Sequence, residues 1–288
     1  MRYLITGANG MLGRDLQGAL AGRDVTALGR ADLDVTDIEA VRAAVAGYDA
    51  VINAAAYTKV DDAETNEDAA FAVNATGPRN LAIAARENGA RLVTVSTDYV
   101  FPGDATEPYA EDTARDPINA YGRSKAAGEE AVLAEHPDGA YVVRTAWLYG
   151  EHGPNFAATM VRLSGSHETV SVVNDQLGQP TWTKDLAERI VALLDADAPA
   201  GVYHGTNAGV TSWHGFTRAI FAELGLDPER VIETDSTAFV RPAPRPAYSV
   251  LGHDGWARAG LPPLRDWREA LHAAVEEGAV APAAPAQS

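Results

Sequence analysis

The chain has 288 residues, 46% of them hydrophobic, and its 23 basic and 40 acidic side chains give a net charge of −17. This length provides a sizeable core for one large domain or two ordinary ones. The negative charge argues against binding to nucleic acid or to an anionic membrane surface. The absence of cysteine excludes disulfides and thiolate metal sites, and it fits a reducing compartment.

The beginning of the chain does not resemble a secretory signal, because its first glycine already stands at position 7. No apolar run approaches the length of about 18 residues that a membrane crossing requires. We therefore expect a cytoplasmic protein, present as a monomer or a homodimer.

Short apolar runs alternate with helix-patterned segments through the first half of the chain. The runs are RYLIT, VTALG, AVINAAA, RLVTVS and YVVRT, and the helical segments are GMLGRDLQGALAG, VTDIEAVRAAVAG, EDAAFAVNATGPRNLAIAAREN and YGRSKAAGEEAVLAE. Wholly apolar runs are typical of strands buried on both faces, joined by helical crossovers. The pattern predicts an α/β fold, a Rossmann-type doubly wound parallel sheet.

The alternation loosens after about residue 150. Here NFAATMVRLSG, TKDLAERIVALLDA and TSWHGFTRAIFAELG look helical, and TVSVVN and GVYHG look like strands. We expect residues 1–149 to form the Rossmann domain, with 180–205 returning to it, and 150–278 to form mainly a smaller, partly interleaved C-terminal lobe. The Ala/Pro-rich end, 279–288, is predicted to be disordered.

A glycine-rich loop, GANGMLG, joins the first predicted strand to the first helix and contains Gly7, Gly10 and Gly13. Glycines allow a tight turn and leave amides at the helix start to hold a pyrophosphate. The spacing differs from the common G-x-G-x-x-G. Because the loop lies at the first strand-to-helix turn, it nevertheless predicts a dinucleotide site.

The end of the second predicted strand indicates which dinucleotide is preferred. An acidic residue often binds the adenosine ribose of NAD here, but this chain has Gly29 and Arg30. A guanidinium can bind a ribose 2′-phosphate, so NADPH is our first choice, with NADH a second cofactor; a solvated surface arginine is the alternative. Asp34 can accept from the adenine amino group or cap the following helix.

Tyr121 and Lys125 are four residues apart in the predicted helix and therefore lie on one face of it. The segment STDYVF places Thr97 at the carboxyl end of a predicted strand, where open α/β sheets bind ligands. A lysine about 4 Å from the phenol is expected to lower its pKa toward neutrality. Tyr121 can then donate a proton to a carbonyl oxygen as hydride reaches the carbon.

These motifs together resemble those of the extended short-chain dehydrogenase/reductases, and within them the dTDP-4-dehydrorhamnose reductases. The resemblance runs from residue 1 to about 278 and rests on TGANGMLG, NAAAYTKVDDAE, VNATG, STDYVF, PINAYGRSKAAGE, RTAWLYG, NF, VVNDQLGQPT and RPAPRP. It implies NADPH-dependent reduction of the C4 ketone of dTDP-4-dehydro-β-L-rhamnose. Two alternatives stay open: a ketoreductase for another dTDP-deoxyhexose, and a non-catalytic regulatory subunit similar to that of methionine adenosyltransferase.

The resemblance also implies site residues. The catalytic residues would be Thr97, Tyr121 as proton donor, and Lys125, which would also hold the nicotinamide ribose. The implied cofactor contacts, besides the glycine loop, are Met11, Leu12, Asp34, Val35, Ala54, Ala55, Ala56 and Tyr57. The implied substrate contacts are Thr97, Asp98, Tyr99, Trp147, Asn155 and Arg245.

Several of these residues have structural alternatives. Trp147 follows an apolar strand and could be a core residue, and Asn74, a further cofactor candidate, could tie loops together. Arg241 and Arg245 could clamp a diphosphate or lie at the surface. Some similar proteins hold Mg²⁺ at a subunit interface, where this chain offers Asp15 but has Lys184 near a second ligand position. We therefore predict no metal site.

Overall fold

The computed structural model describes residues 1–281. Its strands are β1 Arg2–Thr6, β2 Asp24–Leu28, β3 Ala50–Asn53, β4 Arg91–Thr97, β5 Ala140–Thr145, β6 Leu148–Tyr149, β7 Val170–Val173, β8 Leu177–Gly178, β9 Thr181–Trp182, β10 Gly201–His204, β11 Thr211–Ser212 and β12 Val231–Thr234. Its α-helices are α1 Met11–Ala19, α2 Ile38–Val45, α3 Val60–Ala63, α4 Glu67–Phe71, α5 Gly77–Glu87, α6 Ala120–Glu135, α7 Phe156–Ser164, α8 Thr183–Asp195, α9 Trp213–Glu223, α10 Gly255–Arg258 and α11 Trp267–Glu276.

Six parallel strands form the central sheet in the order β10-β5-β4-β3-β1-β2. Helices flank the sheet, so the predicted Rossmann-type fold is confirmed. β3 and β5 are buried along their whole length, as their apolar sequences indicate. β2 is only partly buried, and the expectation of burial on both faces is wrong for this strand because it lies at the sheet edge.

The segment predicted as one long helix over 67–88 is helical throughout but not uniform. α4 continues into a π-helical turn, Ala72–Thr76, which leads directly into α5. Such wider turns occur frequently at functional sites. Here the turn carries Asn74 into the interior, where its side chain is 1% exposed.

The C-terminal lobe contains three small two-stranded sheets, β7 with β12, β6 with β9, and β8 with β11. Its core is built around Tyr149, Trp182, Phe216 and Trp267. The sequence patterns gave no indication of α10 or α11. β10 joins the central sheet beside β5, and α8 packs on α1.

The end of the described chain differs from the sequence-based expectation. Val280 is buried against the core of the C-terminal lobe, and the amides of Ala279 and Val280 both donate to the carbonyl oxygen of Ala274. The prediction of disorder is therefore wrong for Ala279 and Val280, residue 281 is exposed and has no regular secondary structure, and 282–288 lie outside the described residues. Within 1–281, no helix has both the length and the apolar character needed to cross a membrane.

Candidate active site

The glycine loop packs so closely that side chains are excluded from it. Gly7 has φ +71°, and a Cβ atom there would lie 2.4 Å from the amide nitrogen of Ala55. A Cβ on Gly13 would lie 2.4 Å from the carbonyl oxygen of Gly7. Gly10 caps α1 without any side-chain bond to the first-turn amides. The loop therefore presents backbone N–H groups at a helix start, an arrangement that suits a phosphate group.

The end of β2 carries three charged side chains. Arg30 is exposed, and its charge helps to lower the pKa of Asp34, although the larger cause is hydrogen bonding to Thr36. Asp34 does not cap α2, because Asp37 accepts from the amides of the first turn. Asp32, which the sequence reasoning did not single out, accepts a hydrogen bond from the Gly29 amide at 2.8 Å. The carboxylate of Asp32 therefore lies at the end of β2, next to Gly29.

The loop after β3 is tied to α6 through Asn74. Its Oδ1 accepts from the Tyr57 amide at 2.8 Å, and its Nδ2 donates to the Tyr57 carbonyl and to the Ser124 hydroxyl. Both Oδ1 and Nδ2 of the buried Asn74 side chain therefore form hydrogen bonds within the protein, which favours the loop-tying role over a cofactor contact. The side chains of Leu12 and Val35 are likewise committed to the hydrophobic core. By contrast, residues 54–57 are only partly buried.

α6 begins at the site because Asn119 caps it and accepts from the Gly122 amide at 2.8 Å. A Cβ on Gly122 would lie 2.2 Å from the Tyr99 carbonyl oxygen. Glycine at this position therefore lets the helix approach the turn after β4. This packing brings Tyr121 against Tyr99, with their rings edge to face and their centroids 5.6 Å apart.

Thr97 ends β4 and is 5% exposed. Its hydroxyl donates to Oδ1 of Asp98 at 2.8 Å and accepts from the Tyr99 amide at 3.2 Å. Asp98 is buried, and within residues 1–281 its Oδ2 has no partner in good hydrogen-bond geometry. Asp98 therefore lies behind Thr97, bonded to the hydroxyl that sequence reasoning assigned to the substrate.

The pKa of Tyr121 differs from the sequence-based expectation. Burial, and to a smaller extent the negative charge of Asp98, raise the pKa to about 12, although the hydrogen bond with the Thr97 hydroxyl works in the opposite direction. The expected shift toward neutrality is therefore not found. The reason is that a phenolate loses much more hydration in this buried position than the surrounding side chains restore.

Lys125 is buried one helical turn after Tyr121, and its Nζ donates to the carbonyl oxygen of Val95 at 2.6 Å. Burial lowers the pKa of Lys125 to about 8, and the negative charge of Glu129 partly offsets this effect. The ammonium is therefore anchored to β4, two residues before Thr97. The structure thus brings Thr97, Tyr121 and Lys125 together at the carboxyl edge of the sheet.

A cavity of about 730 Å³ opens beside Tyr99. Arg241 and Arg245 line this cavity, and Arg245 forms an ion pair with Asp61 at 2.9 Å. Arg241 is largely exposed and stands 4.0 Å from the same carboxylate. The lining also includes apolar side chains: Phe156, Met160, Leu163, Val170, Val172 and Trp213. The cavity thus combines cationic groups with an aromatic surface.

Trp147 is partly exposed, and its backbone has φ +49°, an unusual value for a residue with a side chain. Its ring stacks on Trp213, with centroids 3.5 Å apart. Gly178 lies against the ring edge, where a Cβ would come within 2.6 Å of it. Trp147 is therefore fixed in place at the edge of the site without being a fully buried core residue.

Asn155 caps α7 and accepts from the Ala158 amide, while its Nδ2 donates to the Gly150 carbonyl oxygen. Its side chain also lies 3.8 Å from the sulfur of Met11. The structure therefore brings a predicted substrate residue next to a predicted cofactor residue. These two hydrogen bonds use both the oxygen and the nitrogen of the Asn155 side chain within the protein.

Sequence reasoning missed Trp213, Gln176 and Asp61. Trp213 donates to Oε1 of Gln176 at 3.2 Å, and both side chains line the cavity. Gln176 and Asp61 occur within motifs already singled out, NDQLGQPT and KVDDAE. Trp213 follows Ser212, which caps α9, but nothing local to that segment indicates that Trp213 stacks on Trp147.

The candidate magnesium ligands do not form a cluster. Lys184 makes an ion pair with Glu277, and the pKa of Asp15 is raised by its burial. Among residues 1–281, no group of three or more His, Cys, Asp or Glu side chains is placed to hold a metal ion.

Residues 1–280 match the family model of the RmlD substrate binding domain. The chain is 55% identical to a dTDP-4-dehydrorhamnose reductase from Streptomyces griseus, over 94% of this chain and 91% of that protein. It is 52% identical to a dTDP-4-keto-6-deoxy-D-glucose reductase from Streptomyces niveus, over 94% and 95% of the two chains.

A solved structure agrees with these sequence comparisons. The dTDP-4-dehydrorhamnose reductase of Bacillus anthracis, crystallised in complex with NADP, superimposes with a TM-score of 0.91 at 40% identity, covering 96% of this chain and 99% of that one. The two named relatives and this structure share one class of reaction, reduction of a keto group on a dTDP-linked sugar. The chain belongs to the dTDP-4-dehydrorhamnose reductase family and is an oxidoreductase of that family.

Proposed function

We propose that this protein reduces the C4 ketone of dTDP-4-dehydro-β-L-rhamnose to give dTDP-L-rhamnose, with NADPH as the reductant and Tyr121 as the proton donor. The observation that carries the proposal is the convergence of Thr97, Tyr121 and Lys125 beside a cavity with arginine and aromatic walls. Relatives that match nearly the whole chain are named for this reaction or a close variant.

The glycine loop supports the cofactor assignment, because it excludes side chains at Gly7 and Gly13 and leads directly into the start of α1, where backbone amides can meet a phosphate. Backbone groups of the loop would hold the pyrophosphate, and Arg30 would bind the 2′-phosphate. Lys125 would hold the nicotinamide ribose. The bound nicotinamide supplies the hydride.

The protein's own groups manage the charge that develops on the ketone oxygen. The pKa of Tyr121, raised to about 12, keeps the phenol protonated and therefore ready to donate. Lys125 is close enough to β4 to stabilise negative charge at this edge of the sheet. Arg241 and Arg245 suit the diphosphate, and the aromatic pair of Trp147 and Trp213 suits the sugar face.

The test is to follow NADPH absorbance with a panel of dTDP-4-keto-6-deoxyhexoses and to determine the C4 configuration of each product by NMR. We expect the fastest turnover with dTDP-4-dehydro-β-L-rhamnose and formation of dTDP-L-rhamnose. The proposal would be rejected if NADPH were not oxidised with any member of the panel.

A second candidate is reduction of a different dTDP-4-keto sugar. It is favoured by the 52% identity to the Streptomyces niveus protein, which is named as a dTDP-4-keto-6-deoxy-D-glucose reductase. The same panel separates the two, because a preference for the D-configured substrate would assign this second function.

A further inference from the structure

We propose that Asp98 is a positioning residue that sets the direction in which the Thr97 hydroxyl donates its hydrogen. In its neutral form Asp98 would free that hydrogen for the substrate ketone, and in its ionised form it would retain it. This inference rests on the proposed function and deepens it, because Asp98 would act on the reaction only through Thr97.

The hydrogen bonds of Thr97 determine where its hydroxyl hydrogen lies. A hydroxyl has one hydrogen and two lone pairs. The hydrogen goes to Oδ1 of Asp98 at 2.8 Å, and one lone pair accepts from the Tyr99 amide at 3.2 Å. Only a lone pair is left. In this arrangement Thr97 can accept a hydrogen bond from Tyr121 but cannot donate one to a ketone.

The surroundings of Asp98 affect the protonation of its carboxyl group. The side chain is 2% exposed, and within residues 1–281 its buried Oδ2 has no partner in good hydrogen-bond geometry, although the Ser249 hydroxyl is near enough to lower the pKa of Asp98. A carboxylate oxygen without a partner is unfavourable in a protein interior, and adding a proton removes the charge. The neutral carboxyl group can donate its own hydrogen to Oγ1 of Thr97. The hydrogen of Thr97 is then available to a ketone.

Within residues 1–281, the groups with the largest influence on the ionisation of Asp98 are uncharged hydrogen-bond donors. Tyr99 follows it in the same turn, Tyr121 faces it from α6, and the Ser249 hydroxyl approaches from the segment 247–251. Among residues 1–281, the groups with the largest effects on its ionisation are the hydroxyls of Ser249 and Thr97 and the backbone amides of Asp98 and Tyr99, all of which favour the charged form but carry no positive charge. Arg245 and Asp61 lie further out and act on Tyr99. Burial raises the pKa of Asp98 to about 6.

The two forms of Asp98 should therefore differ in reactivity. A donor aimed at the developing alkoxide stabilises the transition state, and Thr97 can supply one only when Asp98 is neutral. Ionised Asp98 has a second effect in the same direction, because its charge raises the pKa of Tyr121 and so makes the phenol a weaker acid. The ionised form should thus be the slower one on both grounds.

The first experiment measures single-turnover oxidation of NADPH by saturating keto-sugar from pH 5 to pH 7.5 in four proteins: wild type, Asp98→Asn, Thr97→Val and the double variant. We expect the wild-type rate constant to fall by at least about tenfold over this range. Asp98→Asn cannot ionise, so its rate constant should change less than about twofold. In the Thr97→Val background, Asp98→Asn should have no further effect.

The second experiment needs neither substrate nor cofactor. The protein is labelled with ¹³C at its aspartate carboxyl carbons, and the Asp98 signal is identified by its loss in Asp98→Asn. We expect its titration midpoint near pH 6. The midpoint should move upward in Thr97→Val, because the hydroxyl favours the ionised carboxylate. Circular dichroism of each variant verifies that it is folded.

The outcomes separate the two proposals. If wild type oxidises NADPH with a keto-sugar but Asp98→Asn keeps the wild-type fall in rate, or if the two substitutions act independently, the role of Asp98 is wrong while the proposed function stands. If wild type has no activity with any keto-sugar, the proposed function fails, and the carboxyl titration still decides about Asp98. A midpoint below pH 4.5, or one unchanged by Thr97→Val, would overturn the inference.

Discussion

The guanidinium of Arg144 donates two hydrogen bonds to the carboxylate of Glu129, at 2.9 and 2.8 Å, and both side chains are buried. Arg144 also donates to the Glu111 carbonyl and to Nε2 of His204. Burial and the charge of Arg144 lower the pKa of His204 to about 3, so this ring is neutral and accepts at Nε2. Glu129 lies one turn from Lys125 on α6, and the network therefore connects β5 with the helix that carries the site.

Glu129→Gln should lower the free energy of unfolding by about 3–5 kcal/mol, because it leaves the Arg144 charge buried without its carboxylate. The measurement is equilibrium unfolding in denaturant. Glu87→Gln is the matched control, since Glu87 also pairs with an arginine, Arg42, but at the surface. The control should lose no more than about 1 kcal/mol. Equal losses in the two variants would contradict a special role for the buried pair.

Tyr121→Phe should lower kcat by about 10²–10⁴-fold, because it removes the proposed proton donor and keeps the ring. Its NADPH affinity, measured by fluorescence titration, should stay within about threefold of wild type. Tyr48→Phe is the control, since that hydroxyl bonds Thr26 far from the site, and it should leave kcat unchanged. Near-normal turnover by Tyr121→Phe would reject the proton-donor assignment.

The activity should also fall as the pH rises through about 8, because Lys125 loses its proton there and can no longer stabilise negative charge. The sign follows from burial, which lowers the pKa of a lysine by penalising its charged form. The rate constant for hydride transfer between pH 7 and pH 10 tests this. Lys125→Met should be slow and lack the decline, whereas Lys184→Met, at the surface, should keep the wild-type profile. A wild-type rate constant independent of pH over this range would be inconsistent with the role of Lys125.

Arg30→Ala should weaken NADPH binding by roughly tenfold to a hundredfold, in proportion to the loss of charge-assisted hydrogen bonds to the 2′-phosphate. NADH binding should hardly change. Titration of both cofactors measures this difference, with Arg79→Ala as a control, because Arg79 pairs with Glu135 on a distant surface. Equal weakening of both cofactors would show that Arg30 does not read the 2′-phosphate.

Dialysis against EDTA should leave turnover unchanged. The ammonium of Lys184 pairs with Glu277 and would repel a divalent cation. The comparison is between the dialysed protein and the same protein with magnesium added back. Loss of activity that magnesium restores would refute the prediction.

Most of the first domain could be predicted because its signals are local. Apolar runs ending near Thr6, Asn53 and Thr145 became central strands, and the glycines of GANGMLG lie where a Cβ would collide with backbone. The helix face shared by Tyr121 and Lys125 could also be predicted, because a helix repeats about every 3.6 residues and the two residues are four apart.

The sequence by itself determined the succession of strands and helices along the chain and the kinds of side chain that follow the carboxyl ends of the central strands. Only the tertiary structure decided that the Thr97 hydrogen goes to Asp98, that the pKa of Tyr121 rises, and that Trp213 supports Trp147. The physical reason is that periodicity is a property of neighbouring residues. Burial, hydration and ring stacking depend on segments that are far apart in the chain and meet only in the folded protein.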